Sequence, residues 1–150
     1  MEAAETKVPS AAGWLGGFGA VPFIGIAGAI PLLDGAPRIW AAHALVAYGA
    51  TILSFLGGIH WGLAIGSENR SDNCHSLNRL VLSVMPSLVG WAALLVSEKI
   101  GLFILATAIV AMLWIDLRAT KAGYAPPWYP KLRIPLTCIV VAALLWGAIA

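Results

Sequence analysis

Charged side chains in this chain fall into small groups, and the gaps between the groups are close to the length of one membrane-crossing helix. Residues 13–33 carry no Asp, Glu, Lys or Arg, and neither do 39–67, 80–97, 100–115 and 134–150. A helix needs about 20 apolar residues, with a range of roughly 17–25, to cross the hydrocarbon of a bilayer. Five such runs therefore predict an all-α, polytopic bundle of five transmembrane helices over about 13–33, 39–66, 79–97, 100–117 and 132–150, behind a short tail over 1–12. Composition agrees: 60% of the 150 residues are hydrophobic and 11% charged, against roughly 25% charged in average soluble domains. A single domain of this length cannot hide that much apolar surface from water, so the lipid bilayer is the expected solvent. The runs are continuous, and they exceed the strands of about 9–11 residues that build a membrane β-barrel. The net charge of +2 argues for no nucleic-acid partner.

The joints between the runs are polar or helix-breaking. Pro31, Asp34, Gly35, Pro37 and Arg38 close the first run, and residues 67–78 (SENRSDNCHSLN) form the most polar stretch. Glu98 and Lys99 read as a tight turn, and residues 122–131 (AGYAPPWYPK) as a Pro- and aromatic-rich interfacial loop. The fourth run is the short one, and it reaches full length only if Asp116 is paired or sits at the interface. Orientation follows from the cations. Lys7, Arg70, Arg79, Arg118, Lys121, Lys131 and Arg133 share one side, and Arg38 and Lys99 the other, which is seven against two. That bias places the N-terminus in the cytoplasm and the C-terminus outside. Trp14, Trp114 and Trp128 then fall near the inner interface, with Trp40 and Trp146 near the outer one. Trp61 and Trp91 fit neither belt and are expected to pack inside the bundle. The first residues, MEAAETKVPSAA, suit neither a basic secretory signal nor an Arg-rich transit peptide. The expected location is the inner (plasma) membrane of a bacterium.

Few residues in the runs can carry chemistry. His60 lies six residues before Gly66, or ~9 Å into the membrane at 1.5 Å per residue. An ionisable group at that depth faces the bundle interior. Asp116, near the same side on the fourth helix, can reach it. Arg133, at the start of the fifth, is a second partner for Asp116, whereas Arg118 points to another helical face. His60, Trp61, Asp116 and Arg133 are thus the candidate intramembrane polar or ligand site. Gly57, Gly58 and Gly62 flank His60. In the first run Gly13 and Gly17 form a GxxxG, and Gly25 pairs with Ala29. These six glycines are expected to pack against other helices, within the chain or in another subunit. Pro22 and Pro86 interrupt helix hydrogen bonding and predict kinks. Trp128, Tyr129 and Lys131 suit the headgroup level and form the expected interfacial anchor.

Other chemistries lack their residues. Bis-histidine haem needs two histidines on facing helices, but His43 and His60 share one helix and His75 lies in a loop. No Walker A loop, HExxH or GxSxG is present. Cys74 and His75 are too few for zinc, and the two cysteines, Cys74 and Cys138, do not make a disulfide framework. No enzyme activity, metal or cofactor is expected.

The segments VPFIGIAGAIP, YGATILSFLGGIHWG, VMPSLVGW and PPWYPKLRIPLT together resemble the small membrane proteins of domain of unknown function 3429, a family that includes mitochondrial transmembrane protein 69. The resemblance runs from about residue 19 to 137, and SFLGGIHWG, Ser54 to Gly62, is its most specific part. It implies a multi-pass inner-membrane protein and directs attention to His60, Trp61, Asp116, Trp128 and Arg133. It implies no activity or cofactor. Size, small-residue faces and the missing catalytic constellation point to an accessory, assembly or structural subunit that contacts other membrane proteins or itself. A small proton-coupled transporter or channel using His60 and Asp116 is the alternative. A further one is a quinone or lipid site near His60, Trp61 and Asp116.

Overall fold

A computed structural model describes residues 7–66 and 73–150, without the side chains of residues 73–79. Arg70, Cys74, His75 and Arg79, invoked above for orientation and ligand chemistry, lie outside the described side chains. The described chain is all helical: α1 (Ser10–Ala29), α2 (Ala36–Gly66), α3 (Asn73–Leu94), α4 (Glu98–Lys121) and α5 (Tyr129–Ile149), with a 3-10 turn, Ile30–Leu32, closing α1. Four helices are long and apolar enough to cross a membrane: α1 with its 3-10 turn, α2, α4 and α5.

The condition set for the fourth run is met, and the third run is the weaker one. The fourth helix is a full 24 residues, because Asp116 is paired inside and the helix runs on to Lys121. The weaker apolar segment belongs to α3, where only Leu80–Leu94 is apolar. Its first turns, Asn73–Arg79, are helical but polar. Glu98 and Lys99 do not form the third turn. They open α4 behind a short link at residues 95–97, and an acid in the first helical turn complements the helix dipole.

Side-chain contacts give the packing order. Gly57 meets Ser83, and Gly90 meets Ala50, so α2 and α3 run antiparallel. Asp116 meets Arg133 and Leu102 meets Gly147, so α4 and α5 are antiparallel too. His60 meets Asp116 and Gly49 meets Leu105, which sets α2 and α4 parallel and in one register. Gly16 meets Leu132 and Leu136 while Ile30 meets Gly147, which sets α1 parallel to α5. The starts of α1 and α5 and the ends of α2 and α4 therefore gather at one end of the bundle. The core between them holds Phe23, Leu45, Leu53, Leu102, Leu105, Ile109 and Leu144.

Lipid is as apolar as leucine, so packing rather than water exclusion holds such helices together. The closest approaches use glycine where a Cβ would strike backbone: one added at Gly57 would meet the Ser83 carbonyl, and one added at Gly101 would lie 2.5 Å from the Ala93 carbonyl oxygen. Pro22 lies inside α1 and leaves a carbonyl one turn back without its helical donor. The neighbouring Gly19 carbonyl accepts the Tyr48 hydroxyl at 2.9 Å. The Tyr48 ring packs on Phe23 with centroids 4.8 Å apart. That hydrogen bond ties α2 to α1 beside the break, while the carbonyl that Pro22 leaves without a helical donor is that of Phe18.

Candidate functional site

Three polar side chains meet inside the end of the bundle where α2 and α4 finish and α5 begins. His60, Asp116 and Arg133 each lie between one and two turns from the nearest helix terminus. Asp116 is the centre. Its Oδ1 lies 2.8 Å from His60 Nε2, and its Oδ2 accepts from Arg133 Nε at 2.6 Å. The Asp116 side chain is 1% exposed and that of His60 10%. One acid thus ties three helices together.

Trp61, the fourth residue of the predicted site, is elsewhere. It is 44% exposed and faces outward, because one residue along a helix turns the side chain by about 100°. Trp91 is exposed as well, so neither tryptophan packs in the interior. Arg118 turns away from Asp116 as expected and lies over the Trp114 ring, 3.6 Å from its centroid, a cation–π contact. Lys131 is exposed and Trp128 half-buried, at the level suited to an anchor, but Tyr129 is buried. Tyr129 therefore leaves the anchor group and joins the interior. Among the described residues, Gly57 alone of the six glycines named for packing meets a neighbour. A Cβ at Gly13, Gly17, Gly25, Gly58 or Gly62 would meet nothing within 4 Å. The close-packed glycines that sequence reasoning passed over, Gly16, Gly49, Gly90, Gly101 and Gly147, stand outside any GxxxG.

The cluster separates two cavities. One, of about 350 Å3, is lined by His60, Leu82, Trp114, Arg118 and Tyr124. The other, of about 360 Å3, lies among α1, α2 and α5 and is lined by Phe23, Ile52, Tyr129, Arg133 and Thr137. Tyr129, Arg133 and Thr137 recur every four residues and so form one stripe along α5. That spacing was available in the sequence, but Tyr129 reads as interfacial and Thr137 as an ordinary apolar-run residue. Among the described residues, no three His, Cys, Asp or Glu come together in a way that could hold a metal ion.

A charge cluster at this depth, in an all-helical chain with four apolar helices of crossing length, defines a multi-pass α-helical membrane protein. The chain belongs to the family described as "Protein of unknown function (DUF3429)", whose model matches residues 8–149. It is similar to transmembrane protein 69 of Xenopus tropicalis, 36% identical over 148 residues that cover 94% of this chain and 54% of that protein. It is also 34% identical to mouse transmembrane protein 69 over 98 residues, 65% of this chain and 39% of the mouse protein. The chain spans about half or less of the length of these curated relatives. No solved structure matches it.

Proposed function

We propose that this protein is a non-enzymatic accessory or assembly subunit that docks on another membrane protein through the open glycine face of α1. One observation carries the reading. Gly13, Gly17, Gly25 and Gly28 fall on one side of α1 by the 3.6-residue repeat, and a Cβ at any of them would meet nothing within 4 Å. Each glycine costs a helix about 1 kcal/mol relative to alanine. Where no helix of the same chain comes close, the compensation is sought in a helix from outside. Gly58 and Gly62 on α2 are open in the same way. The His60–Asp116–Arg133 cluster then serves as an internal lock that keeps the docking helices in register.

The test is recovery from membranes in mild detergent. A stoichiometric membrane-protein partner is expected with the native chain and is expected to be lost in Gly13→Leu/Gly17→Leu. The native chain recovered alone, or a partner retained by the double variant, overturns the reading.

We further propose that α3 is a fifth crossing, with the N-terminus cytoplasmic and the C-terminus outside in a bacterial plasma membrane. Two arguments support it. Helix α3 lies antiparallel along α2, and its 22 residues extend ~33 Å at 1.5 Å per residue. The cation bias persists although buried Arg133 no longer counts as a loop charge, since Lys7, Arg118, Lys121 and Lys131 still outnumber Arg38 and Lys99. Alkaline phosphatase fused after Ala150 is expected to be active, and a fluorescent protein dark if it cannot mature outside. The opposite pair of results reverses the topology.

A further inference from the structure

The cavity among α1, α2 and α5 has one polar wall, and among the described residues nothing satisfies that wall. Arg133 Nη2, Thr137 Oγ1 and Tyr129 Oη are buried without a hydrogen-bond partner, and all three residues line the cavity. Each of these residues is more than nine-tenths buried. The Tyr129 hydroxyl lies near the Asp116 carboxylate but falls short of hydrogen-bond geometry with it. A buried donor left unmade is costly, and more so for a charged group. In a bilayer the unfolded alternative includes no easy return to water. Three such donors on successive turns of one helix, all beside the same empty volume, are the pattern of a site that lacks its ligand.

We propose that this cavity binds a neutral, membrane-dissolved molecule whose carbonyl oxygens, each with two lone pairs, share the donors of Arg133, Thr137 and Tyr129, with a quinone ring, which carries two such oxygens, as the favoured case. The rest of the lining is apolar, including Phe23, Ile52, Leu56 and Val140, so the body of the ligand is apolar. Its volume of about 360 Å3 falls within the range of roughly 300–1,000 Å3 found for small-molecule pockets. Access is lateral, from the lipid: Leu15 and Phe55 line the cavity and are themselves exposed on the outer face of the bundle. Charge selects neutral over anionic. The Arg133 guanidinium already faces the Asp116 carboxylate through Nε, which leaves Nη2 a hydrogen-bond donor whose positive charge is compensated. An anion would bring a second negative charge within reach of Asp116. Ring carbonyls and glyceride ester carbonyls share this acceptor chemistry, so both sources enter the test. The site does not depend on the docking role proposed above, and its test uses no partner protein.

The full chain, in nanodiscs of a phosphatidylcholine with ether-linked chains, is titrated with a short-chain alkyl benzoquinone and separately with a diacylglycerol. Quenching of Trp128, which lines the cavity, and displacement of one probe by the other are the readouts. Thr137→Val and Tyr129→Phe delete one donor each with almost no change of shape, and each is expected to weaken binding about threefold to tenfold. Saturable quinone binding with that loss supports the proposal in its quinone form. Saturable diacylglycerol binding with the same loss, and weak quinone binding, supports the shared acceptor chemistry and overturns the quinone assignment. No saturable binding of either probe, or binding that both variants leave unchanged, overturns the site. Thermal unfolding of the two variants in the absence of probe shows whether they fold; a variant that unfolds with the wild type and binds as the wild type counts against the site in full.

Discussion

Asp116→Ala is expected to destabilise the protein by about 3–5 kcal/mol, the cost of breaking a buried pair by removing one partner. Asp116 is the acceptor for two donors from two other helices, and its side chain is 1% exposed. Arginine stays charged under all practical conditions, so removal of the carboxylate strands the Arg133 guanidinium in the bundle. The damage should come from that stranded charge more than from the lost contacts. A double replacement, Asp116→Leu with Arg133→Met, removes both charges and is therefore expected to cost much less than the sum of the two single changes. Denaturant midpoints in detergent, followed by helix circular dichroism, measure all four members of the cycle. Additive losses would mean that the pair contributes nothing as a pair.

Gly57→Val is expected to cost about 1–3 kcal/mol, while Gly58→Val, one position along, should leave the unfolding midpoint close to wild type. A Cβ at Gly57 runs into the backbone carbonyl of Ser83 and approaches Pro86 at 3.4 Å. A carbonyl in a helix cannot step aside as a leucine tip can, so α2 and α3 must separate along their contact. Gly58 has nothing within 4 Å. Thermal unfolding of the two variants side by side in detergent makes the comparison. Equal midpoints would mean that α2 and α3 do not meet at Gly57. A loss confined to Gly58→Val would place a neighbour on the opposite face.

The two predictions differ in how far the sequence foresaw them. His60, Asp116 and Arg133 were legible because ionisable residues are rare in apolar runs and must find partners there. Helix order and depth left few candidates, and each chose among them. The Gly57 contact was legible only as one of six alternatives. The motif GxxxG says that a helix can be approached closely, but it does not say from which side. In this chain Gly13 and Gly17 carry the motif and meet nothing, whereas Gly90 and Gly101 carry no motif and touch neighbouring backbone.

Trp61 and Tyr129 show why. Local sequence assigns a residue to a depth, and depth alone made Trp61 an interior candidate and Tyr129 an interfacial one. Burial depends on the angle about the helix axis as well as on depth. Trp61 turns to the outside and Tyr129 to the inside, because the helices packed against α2 and α5 decide which faces are covered. The charge-free runs by themselves determined that this chain is helical and that it suits a bilayer, since both follow from local apolar length, whereas α3 begins at Asn73, inside the stretch that reads as a polar joint. Only the tertiary structure decided that α2 is parallel to α4 and α1 to α5. It alone set three donors of α5 beside one cavity, because which faces meet is a property of pairs of helices far apart in the chain.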